Sequence, residues 1–565
     1  MPDTGASADR KVGATQPLKQ AAAKGVRAAP RWRRVLIAIS PGVSGLLLFF
    51  GGGFMLLSAV TPQITARLKL VADVAPLALI EASHFTGSIL ATLMLFLAYG
   101  VARRLKSARR AAMALCFAAA PLSLLGKGFL WEEAVFLLVI GGLLKITKPA
   151  YYRKSRLGSM RPGGLWVMAI LGMVGIVAWV GFASYEKVPY SGDLWWTVLI
   201  NNDVSRFLRA LGGIGVVTVL VLLWAYAGPH QPDPSCAEDD ARAIAILEGQ
   251  RRMLPDAWLA ATGDKHFLFS ESGRSMVMYA AHGDAWIAMG GPVGPAEERR
   301  EMIWRFREAA DVANSWPAFY SVGPDLLPDL LDANLVLQKV GETAQVPLAS
   351  FSLEGGGRSR LRQIRARGQR DGFVFSVERI EAGSPVFAEL KAVSDIWLRT
   401  RDASEKRFSL GHFDERYLAR FPIGMLRRNG VIEAFANIWP GGEGGDVAVD
   451  LMRSKPDIPK QAMEVLFIEL ILWAKAQGYR IFDLGMAPLA GLENRRLAPL
   501  LSRVGAFIYR HGGSFYGFGG LREFKKKFDP VWEPRYLAAP SFRLSAALGR
   551  TALLTTGGLR QMLTG

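Results

Sequence analysis

The sequence predicts a chain in two parts: an N-terminal α-helical transmembrane bundle, then an α/β half made of two similar subdomains. Three observations predict it. Apolar runs crowd the residues before 229, while mixed amphipathic patterns fill the rest. The polar, proline-rich stretch GPHQPDPS (228–235) separates the two kinds of pattern. Beyond it, a hairpin–helix–strand order occurs twice. At 565 residues the chain is also too long for one ordinary domain. The expected divisions are a basic tail (1–34), a transmembrane domain of about six helices (35–228) and a linker (229–240). Subdomains at 241–390 and 391–540 and an amphipathic tail (541–565) follow.

Apolar segments fall at 35–60, 77–102, 111–126, 129–147, 164–184 and 207–228, and several reach the roughly 20 residues a bilayer requires. The third and fourth are short and joined by Gly126-Lys127-Gly128, a pattern that fits tilting or re-entry. Arg27, Arg31, Arg33 and Arg34 precede the first segment; Arg103, Arg104, Lys106, Arg109 and Arg110 follow the second; Lys145, Lys148, Arg153 and Lys154 follow the fourth. The positive-inside rule then puts both ends in the cytoplasm. A multi-pass membrane protein with a cytoplasmic α/β half is expected. Glu81 and His84 lie one turn apart in the second segment, and Glu132 and Glu133 open the fourth. Ionisable groups at such depth are costly and mark lipid handling, unless they sit at the interface or pair with Lys127.

In the second part, SMVMYAAHGDAWIAMG (275–290) reads as a hairpin turning at His282-Gly283-Asp284. A helix at 296–314 and the strand AFYSVG (318–323) follow. The order repeats with the hairpin VIEAFANIWP (431–440) and DVAVDLM (446–452), a helix at 459–477 and the strand RIFDLGM (480–486). Pro459 suits the helix's first turn and Gly478 its C-terminal cap. This is the order of tandem acetyltransferase-like (GNAT-like) domains.

The net charge of +19 favours acidic partners, either anionic lipid or nucleic acid. Two cysteines and six scattered histidines offer no disulfide framework and no metal-ligand spacing, so no metal is expected. The candidate catalytic residues are Asp450 and Arg453, near the end of the strand DVAVDLM. A carboxylate there can orient or deprotonate a hydroxyl, and a guanidinium can steady an oxyanion. A structural ion pair closing the strand is the competing reading. Strict alternation sets Val447, Val449 and Leu451 on one face, and Asp446, Ala448, Asp450 and Met452 on the other.

Coenzyme A is disfavoured. The loop after that strand, MRSKPDIPKQAM (452–463), lacks the glycines that cradle a pyrophosphate. The glycine-rich GGPVGPAEER (290–299) carries Glu297 and Glu298 where a phosphate would sit. Glu469, Asp483 and Glu493 are candidate ammonium binders, or partners for Arg495, Arg496 or Lys475. RSRLRQIRARGQR (358–370) holds six arginines, and Arg358, Arg362 and Arg365 are candidate contacts for RNA or lipid phosphate, or a solvated helix face. Lys525 and Lys527 lie among Phe524, Phe528, Trp532 and Tyr536, which suits a partly buried or lipid-facing surface. The tail at 541–563 is expected to lie on a membrane.

Several long runs carry a resemblance: FSLGHFDERYLARFP (408–422), VDLMR (449–453), ELILWAKAQGY (469–479), DLGMAPLAGLE (483–493) and HGGSFYGFGGLREFKKKFDPVWEPRYL (511–537). EASHFTGSILATLMLFLAYGVARRL (81–105), KGFLWEEA (127–134) and KPAYYRKS (148–155) extend it more loosely. The chain resembles the phosphatidylglycerol aminoacyltransferases of the multiple peptide resistance factor family. The resemblance implies transfer of lysine or alanine from aminoacyl-tRNA to a glycerol hydroxyl of phosphatidylglycerol. Such transfer lowers membrane negative charge and gives resistance to cationic antimicrobial peptides. Asp450 and Arg453 match the family's Asp–Arg pair. Glu469, Asp483, Glu493, Lys525 and Lys527 would bind substrate. No cofactor is implied, because aminoacyl-tRNA is itself a substrate, and an oligomer is compatible. Longer family members carry extra membrane helices credited with flipping lipid, so synthesis is better supported here than flipping. The rivals are a lipid transporter with a degenerate cytosolic domain, a membrane-tethered acyl-coenzyme A N-acyltransferase and a peptidoglycan-bridge aminoacyltransferase.

Overall fold

The computed structural model describes residues 30–60, 77–126, 131–154, 162–184, 203–227, 237–400, 405–511 and 518–556, apart from positions 252, 443 and 460. The chain divides into two compact units near residue 230.

In the first unit, every expected apolar segment contains a helix. They are α1 (Arg31–Val60), α2 (Leu77–Ala102), α3 (Lys106–Gly126), α4 (Trp131–Ile146), α5 (Gly164–Ser184) and α6 (Asp203–Ala227). Four stretches among the described residues are long and apolar enough to cross a membrane: Val35–Val60, Phe85–Ala102, Gly164–Ser184 and Leu208–Ala225. α4 has only 16 residues. Small residues let α1 and α2 approach closely, as in membrane helix pairs. A Cβ on Gly45 would lie 2.9 Å from Ala102 Cβ, and one on Gly52 would lie 2.9 Å from the Ala91 carbonyl oxygen. Lys127 and the side chains of Glu81 and His84 lie outside the described residues.

The second unit opens with α7 (Ala237–Glu248) and a 3₁₀ stretch, Pro255–Thr262. Strands β1 (His266–Phe269), β2 (Met276–His282) and β3 (Ala285–Met289) form an antiparallel sheet, and Gly283 supplies the positive φ of the expected hairpin turn. α8 (Arg299–Val312) then crosses over to β4 (Trp316–Val322), which runs parallel to β3. After α9 (Leu327–Asp332), β5 (Val336–Pro347) and α10 (Ser359–Arg370), the pattern repeats. β6 (Phe373–Arg379), α11 (Val386–Thr400) and the short α12 (Glu415–Leu418) precede the antiparallel strands β7 (Pro422–Arg428), β8 (Val431–Pro440) and β9 (Asp446–Ser454). α13 (Ala462–Ala476) crosses over to β10 (Ile481–Pro488), parallel to β9. The chain continues through α14 (Leu500–His511), α15 (Phe518–Lys526), β11 (Val531–Ala539) and α16 (Leu544–Thr556).

One eleven-stranded sheet results among the described residues, in the order β1-β2-β3-β4-β11-β5-β10-β9-β8-β7-β6. The two repeats exchange strands at the seam. β11 comes from the second repeat yet pairs with β4, and β5 comes from the first yet pairs with β10. β6, which precedes the expected division at 390, pairs with β7 at the far edge of the second repeat. The sheet therefore divides earlier in the chain than 390. The two parallel pairs, each closed by a helical crossover, bear out the tandem acetyltransferase-like topology. α13 is apolar almost all round because it is buried between the sheet and its neighbours.

The C-terminal tail departs from the membrane-surface expectation over its described part. α16 packs on β11 and β3 through Ala547, which is fully buried, and Arg550 ion-pairs with Asp284 at the first hairpin. Its apolar face is covered by the domain's own core.

Candidate functional site

Asp450 and Arg453 are three residues apart, so simple alternation would send them to opposite faces of β9. The structure corrects that reading with a β-bulge. Val449 is registered with Ile438 and Met452 with Ala436, so Asn437 alone faces both Asp450 and Leu451. The Asn437 side chain accepts the Leu451 amide at 2.8 Å and completes the bulge. Ala448 and Leu451 consequently line one core, while Val447, Val449 and Met452 line the other. Asp450 and Arg453 share the Ala448–Leu451 face. Bulges commonly re-aim side chains beside active sites.

The Asp450 carboxylate is held at both oxygens. Oδ1 accepts the Gly411 amide at 2.9 Å, and Oδ2 accepts the Tyr417 hydroxyl at 2.8 Å. The Trp439 indole donates to the same hydroxyl at 3.0 Å, and the His412 ring stacks parallel to Tyr417. Burial pushes the Asp450 carboxyl up to about 6, although the Gly411 and Tyr417 hydrogen bonds and the charges of Arg453 and Lys265 pull the other way. Burial likewise drives the Tyr417 hydroxyl well above its usual range, helped by the neighbouring Asp450 charge. Arg453 is buried, donates to Glu405 at 2.9 Å and lies 4.0 Å over the Trp397 ring. Burial lowers Lys406 to about 8, and the Arg453 charge adds to that.

A cation from the first repeat also acts on the Asp450 carboxyl. Lys265 is almost fully buried, ion-pairs with Asp264 and donates to the Thr262 hydroxyl at 3.1 Å. Asp264 also accepts the Phe408 amide at 2.8 Å, where Phe408 sits at a φ of 63°. The loop that delivers Gly411 to Asp450 is therefore anchored from the opposite repeat.

A second cluster lies on the adjoining strand. Asp483 is level with Ala448 across the parallel β9–β10 pair and so faces the same side as Asp450. Its carboxylate accepts the Gly485 amide at 2.6 Å, within an irregularity of β10 where Gly485 takes a φ of 81°. Burial pushes Asp483 up to about 6 against the charges of Arg535 and Lys525. Lys525 is buried and donates to the carbonyls of Gly485 and Met486 at 2.8 and 2.9 Å, and burial lowers it to about 8. Arg535 is buried against Thr343 and Glu533. Asp256, in the 3₁₀ stretch, adds a third carboxyl raised by burial.

The other candidates lie apart from these clusters. Glu469 pairs with Arg365 at 2.6 Å, so an expected ammonium binder and an expected phosphate binder hold each other. Arg358 contacts Asp529 at 3.3 Å, and Arg362 donates to the carbonyls of Leu353 and Gly355. Lys527 ion-pairs with Glu464, and the exposed Glu493 pairs with Arg495 at 3.2 Å. Arg365 and Glu469 are partly exposed, so their coupling in a double-mutant cycle (Arg365→Ala with Glu469→Ala) should be about 0.5–1 kcal/mol of unfolding free energy. A lower apparent affinity for RNA in Arg365→Ala, with that coupling absent, would instead assign Arg365 to phosphate.

The glycine-rich loop of the first repeat already contains its own anion. Glu298 accepts the Ser272 and Ser275 hydroxyls and ion-pairs with Arg274 at 2.9 Å. The Ser275 and Ser272 hydrogen bonds lower its carboxyl to about 2. An open depression of about 790 Å³ beside this loop is lined by Arg242, Gln250, Arg251, Arg274 and Glu297, none of which belongs to the Asp450 cluster. The hydrogen-bonded carboxylate with Arg453 and Lys265 near it points to Asp450 instead.

Apolar helices of membrane-crossing length, followed by a tandem acetyltransferase-like domain that sets an acid and an arginine on one strand face, define the class. Residues 244–539 match the family model described as "Phosphatidylglycerol lysyltransferase, C-terminal", and the chain belongs to that family. It is 28% identical over 533 residues to the phosphatidylglycerol lysyltransferase of Bacillus subtilis (strain 168), covering 93% of this chain and 60% of that one. The chain thus spans less than two thirds of that relative's length. Among solved structures, it is 41% identical to the C-terminal domain of a putative lysylphosphatidylglycerol synthetase from Agrobacterium fabrum. That match covers 57% of this chain and 99% of the other at a TM-score of 0.52. L-PGS from Bacillus licheniformis is 34% identical over 58% of this chain and 99% of its own, with a TM-score of 0.50.

Sequence reasoning missed Gly411, Tyr417, Lys265 and Asp256. Gly411 and Tyr417 lie inside the 408–422 run, but a glycine and a tyrosine there carry no signal of contact with a strand some 35 residues on. Lys265 follows a Gly-Asp turn and reads as solvent-facing.

Proposed function

We propose that this chain transfers an aminoacyl group from aminoacyl-tRNA to a glycerol hydroxyl of phosphatidylglycerol, with its α/β half in the cytoplasm. The observation that carries the reading is the bulge that sets Asp450 and Arg453 on one face, with the Asp450 carboxyl held near a pKa of 6. Such a carboxyl is mostly ionised at neutral pH yet basic enough to take a proton. The lipid hydroxyl oxygen attacks the ester carbonyl carbon while Asp450 takes its proton. The tetrahedral oxyanion gains from the positive charges of Arg453 and Lys265. The bond to the ribose oxygen then breaks, and Asp450 returns the proton to that oxygen. The donor ester is already activated, so the reading needs neither a metal nor a nucleotide. Asp483 and Asp256 are suited to hold the aminoacyl ammonium group, and two carboxyls in one cluster favour lysine as the donor amino acid. Replacing phosphatidylglycerol by its lysyl ester turns an anionic lipid into a cationic one, a change that repels cationic peptides.

Acyl-coenzyme A is the weaker donor because Glu298 fills the anion position of the first repeat and the β9–α13 loop has no glycine. The test is lipid extraction from a host that makes no aminoacylated phosphatidylglycerol, expressing this chain or Asp450→Ala. A new cationic lipid from the unmutated chain alone is expected, its mass distinguishing lysine from alanine. No new lipid from well-inserted protein would remove phosphatidylglycerol as the acceptor.

A further inference from the structure

α14 is amphipathic in the reverse of the usual sense. Leu500, Val504 and Phe507 recur at helical spacing on one face and are 71%, 46% and 62% exposed, and Leu497 in the preceding turn is 92% exposed. The opposite face turns small residues inward. Ser502 is buried and its hydroxyl meets the Gln338 amide at 3.0 Å, and Ala506 is 4% exposed. A Cβ on Gly505 would lie 2.6 Å from Leu492, so the helix is seated closely on that side. A surface helix that buries its small residues and presents its large apolar ones is suited to an apolar medium.

We infer that α14 and the turn before it form a docking surface for an anionic lipid bilayer. Charge complementarity selects this occupant. Arg495, Arg496 and Arg503 are exposed around the stripe, and Glu493 is the lone acid in the 493–507 segment. Arginines beside a shallow apolar face match headgroup phosphates beside acyl chains. The same polypeptide carries helices of membrane-crossing length, so a bilayer is always within reach. α14 also touches α15, which carries Lys525, so docking would bring the second charged cluster close to lipid. The inference holds whatever group the protein transfers.

The test uses the full chain in nanodiscs, with both native cysteines replaced (Cys116→Ala, Cys236→Ser) and a solvatochromic fluorophore on Val504→Cys. A second sample carries the label on Val374→Cys, a 67% exposed position on the edge strand β6. The discs contain phosphatidylcholine with or without phosphatidylserine, which supplies negative charge without a glycerol acceptor. Some lipids carry a nitroxide high on the acyl chain. At 504, blue-shifted emission quenched by the lipid nitroxide is expected, stronger with phosphatidylserine and weakened by R496Q/R503Q. At 374, water-like, unquenched emission is expected. Blue-shifted but unquenched emission at 504 would mean that protein covers the helix, and would overturn the inference. Water-like emission at 504 would overturn it equally.

Discussion

Asp450→Asn is expected to yield a folded, more heat-resistant protein with almost no transferase activity. Loss of a general base typically costs roughly 10²–10⁴-fold in rate. The amide retains the shape of the carboxyl, its oxygen still accepts the Gly411 amide, and the Tyr417 hydroxyl turns to accept rather than donate. Stability moves the other way. The folded carboxyl titrates at about 6 against an ordinary value of 3.8, because burial opposes its charge. A raised acid pKa means that the folded state binds its proton more tightly than the unfolded state. Asp450's contribution to stability is thus most favourable below about 4, falls as pH rises from 4 to 6, and stays reduced above that. The full shift corresponds to about 3 kcal/mol, an upper bound for what an uncharged isostere recovers at pH 7. Thermal unfolding at pH 4 and pH 7 checks it: the variant's advantage should appear at pH 7 and shrink at pH 4. Activity of the unmutated protein should rise with pH around 6. An Asp450→Asn variant that kept its rate would remove the carboxylate from the chemistry, and one that unfolded would make Asp450 a structural partner.

How far the site was legible follows from which forces act locally. The hairpins and crossover helices of both repeats announce themselves through alternation, turn glycines and an apolar helix, all short-range patterns. β11 does not, because Pro534 argues against a central strand. The structure tolerates it because Tyr536 and Ala538 pair with β4, whereas Val531–Arg535 pair only with β5. The aromatic residues read as a partly buried surface include core members: Phe528 is fully buried and packs with Phe524 against Phe467. Asp450 and Arg453 were legible as chemical types, but their common face was not, and Asp450 lies in the middle of β9 rather than near its end because the strand runs on to Ser454. That face depends on the β9 bulge, which arises from how Asn437 on another strand meets Leu451. Glu469 and Arg365 lie 104 residues apart, and nothing along the chain announces that they meet. Local propensity reaches elements, whereas partners belong to the assembled sheet.

Gly411→Ala should abolish activity as nearly as Asp450→Ala while leaving every ionisable group in place. A Cβ at 411 would stand 1.9 Å from Asp450 Oδ2 and 2.8 Å from the Tyr417 hydroxyl oxygen. Neither neighbour is free to retreat, because each is held by hydrogen bonds to the other and to Gly411 or Trp439. The loop must lift instead, and the Gly411 amide then leaves the carboxylate. Three effects follow from that one displacement. Overpacking of this kind costs about 1–3 kcal/mol of unfolding free energy. The Asp450 carboxyl loses a hydrogen bond that favours its charged form, so the pH at which activity is half-maximal should move above 6. The turnover rate should fall far more than the apparent affinity for tRNA, since the methyl group reaches the reacting carboxyl. Leu410→Ala is the control: Leu410 is 40% exposed, and its truncation should leave rate, pH profile and unfolding nearly unchanged. Normal turnover in Gly411→Ala, with the pH profile unmoved, would show that the loop yields without disturbing Asp450 and that the amide contact is dispensable.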